Sequence, residues 1–221
     1  MKIINKKTEK SLIEQFILNF KKDYLKKKKL NKRFSFVLTG GESPRKLYRK
    51  LSKIDIDWSN IDFFWGDERY VSHLSRNSNY KLVFDELIKK IKINKKNIFS
   101  IKTQKSIVKC SENYSTTIKK YFKNKKIIFD YCLLGMGLDG HIASIFPNSK
   151  NLNKKFITKH ILRKDFKRIS LSLNVINDSK KILLWLNNKS KSKTYLKLKN
   201  NGKKIPVNNL NKKKTFIYKI Y

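Results

Sequence analysis

Between Ser11 and Lys29 the apolar residues Leu12, Phe16, Ile17, Phe20 and Leu25 recur at helical spacings, which predicts an amphipathic first helix. It ends in Lys26-Lys27-Lys28-Lys29, cations that suit a helix C-terminus. The unbroken run Phe34-Ser35-Phe36-Val37-Leu38 reads as a buried strand, followed by Gly40-Gly41 and a helix with Pro44 at its first turn. Ile61-Asp62-Phe63-Phe64-Trp65 predicts a second strand, Tyr80 to Ile91 and Tyr114 to Phe122 two helices, and Phe129 to Leu134 a third strand closing at Gly135. Further strands are expected at Phe156–Leu162, Ile169–Leu173 and Ile182–Leu186, then a helix near Ser192–Lys199 and a last strand at Thr215–Tyr218. Strands separated by helices, with no repeat and no linker, argue a single α/β domain over residues 1–221. Its sheet should be mostly parallel, Rossmann-like, with helices on both faces.

Composition narrows the class. Of 221 residues, 39% are hydrophobic, including 14 Phe, 10 Tyr and 3 Trp, too much apolar material for an uncollapsed chain. No apolar run approaches the roughly 18 residues a membrane span requires. Cys110 and Cys132 alone supply neither a disulfide framework nor a four-ligand zinc site, and no export signal is read at the N-terminus, so a cytoplasmic setting is expected. The net charge of +38 would ordinarily suggest a polyanion partner. Only seven of the 54 basic residues are Arg, however, and the lysines are spread beside Asn and Ile over nearly every segment. Such uniform enrichment is what a coding bias toward A- and T-rich codons produces, whereas a binding groove would cluster its charge. No specific nucleic-acid partner and no membrane partner are therefore expected, and retention on a polyanion should vanish at moderate salt.

In parallel α/β sheets ligands bind beyond the carboxyl ends of the strands, so the residues that follow each strand are the candidates for chemistry. Thr39-Gly40-Gly41-Glu42-Ser43-Pro44-Arg45 could cradle a phosphate at a helix N-terminus; it also reads as a tight turn with Ser43 as N-cap and Pro44 at the next position, and both readings can hold. Gly66-Asp67-Glu68-Arg69-Tyr70 reads either as a solvated loop or as an Arg held between carboxylates for a bidentate phosphate contact. Gly135-Met136-Gly137-Leu138-Asp139-Gly140 formally matches G-x-G-x-x-G, but Pro147 arrives seven residues after Gly140 and His160 stands where a dinucleotide site needs an acid. The glycines instead aim Asp139 and His141 into a cleft, which makes His141 a better general-base candidate than His73 or His160. Asp67 or Asp139 could fix its tautomer.

Four segments together carry a resemblance: Thr39 to Tyr48, Trp65 to Val71, Ser78-Asn79-Tyr80, and Leu133 to Pro147 with its central Asp139-Gly140-His141. In order and spacing they resemble the 6-phosphogluconolactonase family of the pentose phosphate pathway, with similarity continuing through Arg168-Ile169-Ser170-Leu171 and Ile205-Pro206. The resemblance implies a fold related to the sugar-phosphate isomerases and deaminases and hydrolysis of 6-phospho-D-glucono-1,5-lactone without a metal or organic cofactor, by a monomer or small homo-oligomer. It implies His141, Asp139 and Asp67 as catalytic residues and Gly40, Gly41, Ser43, Arg69, Asn79, Arg168 and Lys191 as substrate-binding ones. Glu42 departs from the pattern, standing where the family often has Ser, and Asn188 occupies the usual Gly of a late G-x-x-K motif that ends at Lys191. The nearest rival, glucosamine-6-phosphate deaminase, would place a Glu after the Asp-Gly-His turn, where Ser144-Ile145-Phe146-Pro147-Asn148 has none. The more distant rival is a basic nucleic-acid-binding protein that borrows the fold.

Overall fold

The computed structural model describes residues 1–149, 156–202 and 204–221. In chain order its elements are β1 (Lys2–Lys6), α1 (Glu9–Lys28), β2 (Phe34–Leu38), α2 (Arg45–Leu51), β3 (Ile61–Trp65), β4 (Asp67–Arg69), α3 (Asn79–Glu86) and β5 (Ile98–Phe99). They continue as α4 (Ile107–Tyr121), β6 (Tyr131–Leu134), β7 (Thr158–Ile161), β8 (Arg168–Leu171), α5 (Leu173–Asp178), β9 (Lys181–Leu186), α6 (Lys189–Leu198) and β10 (Thr215–Ile220). Seven strands form one sheet in the order β1-β10-β9-β6-β2-β3-β5, and every pairing in it is parallel.

Strands buried on both faces must be apolar along their whole length, and β2 (FSFVL), β3 (IDFFW) and β6 (YCLL) are buried at every position. Adjacent residues of β3 show the two covering layers. Phe63 packs on Phe36, which meets Phe20 of α1, whereas Phe64 packs on Tyr121 of α4. The one acid inside β3, Asp62, is satisfied by a two-pronged Arg33 contact at 2.6 Å and by the Tyr121 hydroxyl at 2.8 Å. Among the described residues Lys219 is the sole buried lysine, so the cationic excess lies on solvated surface.

Two sequence expectations are corrected here. The strands expected at 156–162 and 169–173 do not extend the parallel sheet: as β7 and β8 they pair antiparallel with β4 in a second, three-stranded sheet ordered β4-β8-β7. The Asp67-Glu68-Arg69 segment is correspondingly a strand and not a solvated loop, with both carboxylates buried. Gly66 joins the sheets, its N–H donating to Leu38 O at 2.9 Å and its carbonyl accepting from Leu171 N at 2.8 Å.

The strand order fixes where a ligand can enter. The chain runs outward through β2, β3 and β5, then returns to lay β6 on the other side of β2 and runs outward again through β9 and β10. The order therefore reverses between β2 and β6, and loops leaving adjacent strands there part to opposite faces and open a crevice. The two glycine-rich turns, 39–44 after β2 and 135–141 after β6, are those loops.

Behind the first turn, Glu86 at the end of α3 accepts from Arg49 Nε at 2.6 Å and Arg45 Nη1 at 2.6 Å. The Arg49 and Arg45 hydrogen bonds hold its carboxyl down to about 2, against the opposing effect of burial. Because the folded-state value lies below the ordinary 4.5, this stabilisation is complete above that pH and is lost as pH falls toward 2. Glu86→Gln is expected to lower Tm at neutral pH by roughly 5 °C. Thermal unfolding from pH 7 to 3 should show the gap to the parent protein closing below about pH 4.5.

Candidate active site

The turn after β6 is built around His141. Gly137 N donates to His141 O at 2.9 Å and Gly140 N to Gly137 O at 3.0 Å, folding the loop back on itself. A β-carbon at Gly137 would lie 2.1 Å from His141 Nδ1, so the imidazole can lie over this position only because it is glycine. Gly140 is left-handed (φ 81°), and a β-carbon there would meet Ile205 Cγ2 at 2.4 Å. Asp139 Oδ1 accepts from the His141 backbone N–H at 3.1 Å and lies 2.6 Å from Nδ1. Partial burial would raise the Asp139 carboxyl, but the backbone and ring N–H groups of His141 outweigh it and hold the value below the ordinary carboxylate range. An ionised acceptor beside Nδ1 requires the proton there, which leaves the lone pair on Nε2, the arrangement a general base needs.

Asp67 does not share that role by contact. Its Oδ2 accepts from Ser144 Oγ at 2.6 Å and its Oδ1 from Asn79 Nδ2 at 3.2 Å, with no hydrogen bond to His141. It instead ties β4 to the His141 loop, since Ser144 N also donates to Ser170 Oγ on β8. Of the two carboxylates that could fix the tautomer, the geometry selects Asp139. Asn79 is buried and donates to Asp67 O at 2.9 Å as well; its Oδ1 would collide with a β-carbon at Gly40 at 1.8 Å. Gly40 therefore allows Asn79 into the crevice wall, and Asn79 holds Asp67.

Glu68 was not singled out from sequence. It is 1% exposed and accepts from Arg69 N, Ser78 Oγ, Asn79 N and Tyr80 N at 2.7–2.9 Å, closing the start of α3 onto β4. Burial pushes its carboxyl up to about 7 despite these four donors. The signal in the sequence was the run Ser78-Asn79-Tyr80, a helix start whose N–H groups need an acceptor.

Arg69 and Arg168 lie directly opposite each other across the β4–β8 pair. Like charges so placed repel, and the partners present do not use up either fork. Arg69 Nη1 donates to Asn77 O at 2.7 Å and Arg168 Nη2 to Asp165 Oδ2 at 2.5 Å, yet both Nε atoms are buried with no partner among the described residues. Two orphaned guanidinium donors facing a common strand pair suit an anion. The Arg168 guanidinium also lies 5.5 Å from the Phe146 ring, which in turn meets the His141 imidazole at 4.5 Å.

At the other turn, Ser43 is not the N-cap of α2. The helix begins at Arg45 with Pro44 in the cap position, and the Ser43 hydroxyl accepts from Lys191 Nζ at 2.5 Å. Burial lowers the Lys191 ammonium. Lys191 reaches the turn because Asn188 caps α6, its Oδ1 accepting from Lys191 N at 2.9 Å, which accounts for Asn at this point of the motif. Gly41 is left-handed (φ 81°), and the buried Tyr48 hydroxyl pins the turn by donating to Thr39 O at 2.7 Å and accepting from Thr39 N at 3.0 Å. Glu42 is turned outward onto Arg45 in a two-pronged pair at 2.8 Å, so its charge is neutralised at the rim. His73, whose Nε2 donates to Ile101 O, and His160 on β7 stand outside this constellation.

The fold is a doubly wound α/β sheet with a His–Asp pair and cationic groups on the loops at its switch point, the place where such sheets hold their ligands. The family model described as glucosamine-6-phosphate isomerases/6-phosphogluconolactonase matches residues 7–218, and the chain belongs to that family. It is 34% identical to a 6-phosphogluconolactonase of Thermotoga maritima, the match covering 70% of each chain. It is 37% identical to a probable chloroplastic 6-phosphogluconolactonase of Oryza sativa subsp. indica over 66% of this chain, a match that spans about half of that relative's length (50%). The crystal structure of the Thermotoga maritima 6-phosphogluconolactonase superposes with a TM-score of 0.88 at 25% identity, covering 99% of this chain and 98% of that one. A monomeric glucosamine-6-phosphate deaminase shares the fold, with a TM-score of 0.83 at 20% identity.

Proposed function

We propose that the chain hydrolyses 6-phospho-D-glucono-1,5-lactone to 6-phospho-D-gluconate, the activity in the names of its lactonase relatives. The observation that carries this reading is the Asp139–His141 pair, whose Nδ1 contact makes Nε2 the basic nitrogen, with Arg168 linked to the imidazole across the Phe146 ring. Water adds to the lactone carbonyl as His141 Nε2 takes its proton; the tetrahedral oxyanion then expels the ring oxygen, to which the imidazolium returns the proton. General-base action of this kind contributes typically 10²–10⁴-fold. In this reading backbone N–H groups of the glycine-rich turns stabilise the oxyanion. Arg69, Arg168, Lys191 and the Gly40-Gly41-Ser43 turn bind the substrate's anionic groups, and that binding energy positions C1 at His141. In this reading the mechanism runs on these side chains.

The deaminase reading asks for more proton carriers. No Asp or Glu occurs between Asp139 and Asp165, so the His141 loop has no second carboxylate for ring opening and transfer at C2. Incubation with glucosamine 6-phosphate is expected to release no ammonium above background, whereas the phosphorylated lactone is consumed. Ammonium release at a rate comparable with lactone consumption would reverse the assignment. Among the described residues no helix is long and apolar enough to cross a membrane.

A further inference from the structure

Arginine is scarce in this chain, seven of 54 basic residues, so its positions are informative. Arg33 is committed to Asp62, Arg45 and Arg49 to Glu86, and Arg69 and Arg168 to the anion-binding strands. Arg163 pairs instead with the exposed Asp165 and with an aromatic ring. Its Nε reaches Asp165 Oδ1 at 3.3 Å, and its guanidinium carbon lies 3.9 Å from the centroid of the Phe146 ring. The other Asp165 oxygen takes Arg168 Nη2 at 2.5 Å. The Phe146 ring is itself buried and rests against His141, with centroids 4.5 Å apart and planes at 38°.

The turn that carries Phe146 is not held by its own backbone preferences. Ala143 (φ 47°) and Asn148 (φ 59°) are both left-handed, a conformation that costs energy in a non-glycine residue and persists only where the surroundings impose it. A cation over the ring face supplies such an external hold, and guanidinium is the best side chain for it because it stacks flat.

We infer that Arg163 is a positioning residue for His141: it clamps the Phe146 ring against the imidazole, while Asp165 holds Arg163 and Arg168 in one unit. The catalytic part of this inference rests on the lactonase reading. The general base and the anion-binding pocket are thereby tied to one short segment, residues 163–168. A substitution there reaches the proton transfer without touching His141, and a small loss of aim at a reacting group is costly in rate.

The test compares Arg163→Gln and Arg163→Lys with the parent protein by kinetics and by NMR of the histidine ring protons, with His141→Asn identifying the His141 signals. Arg163→Gln is expected to move those signals toward the positions of an unstacked imidazole and to lower kcat about fivefold, with KM within about twofold, on both 6-phosphogluconolactone and unphosphorylated glucono-1,5-lactone. Arg163→Lys, which keeps a cation for the ring, should recover at least half of the loss. Unmoved His141 signals would overturn the inference, as would a loss confined to KM for the phosphorylated lactone, which would make Arg163 a direct anion contact. Equal damage from Gln and Lys would also overturn it. If the parent protein failed to accelerate lactone decay, the functional reading would fall while the NMR comparison still decided whether Arg163 orders His141.

Discussion

His141→Asn is expected to lower kcat by roughly 10²-fold or more, as removal of a general base should. Binding of 6-phosphogluconate should change no more than a few-fold, because the groups proposed to hold the anion lie on other elements: Arg69 on β4, Arg168 on β8 and Lys191 on α6. The fold should survive, since the His141 side chain is 31% exposed and its hydrogen-bond partner Asp139 is 49% exposed. Steady-state kinetics beside ligand titration separate the two effects. A folded variant with near-normal kcat would remove His141 from the chemistry.

Arg69→Lys keeps the charge and loses the fork. In the native arrangement one arm of the guanidinium is spent on Asn77 O while Nε is buried with no partner among the described residues. A single ammonium cannot serve both directions. KM for 6-phosphogluconolactone is expected to rise about tenfold, whereas glucono-1,5-lactone, which lacks the phosphate, should be hydrolysed nearly as before. Equal impairment of both substrates would place Arg69 at C1 or in the scaffold.

The legible part of the fold was the part in which one run of residues decides its own fate. β2 and β3 are apolar at four of their five positions each and were read to the residue. β1 escaped because its sequence, KIINK, is half exposed and basic and becomes a strand only through parallel pairing with β10 at the far end of the chain. The Asp67-Glu68-Arg69 strand escaped for a related reason. Charged residues enter a buried strand only when distant groups satisfy them, here Ser144, Ser78 and the start of α3. Antiparallel pairing of β7 with β8 likewise left no local signature to separate it from the parallel strands.

At the site, Asp139 and His141 could be paired on paper because they are two residues apart in a glycine turn, and the choice between Asp139 and Asp67 needed only the contact distances. Long-range juxtapositions were beyond reach: Lys191 on Ser43, Arg69 against Arg168, and the Phe146 ring between Arg163 and His141. Ser43 shows how a local rule can be overridden. Its position before Pro44 favours an N-cap, but the partly buried Lys191 ammonium claims the hydroxyl.

The central claim is that this chain accelerates opening of a phosphorylated δ-lactone. Freshly generated 6-phosphogluconolactone should be followed as it decays, with and without the protein, at neutral pH and with the spontaneous rate subtracted. The account predicts decay proportional to protein concentration, abolished to within about 1% by His141→Asn, with 6-phosphogluconate as the product. Decay that matched the protein-free control at every protein concentration would contradict it.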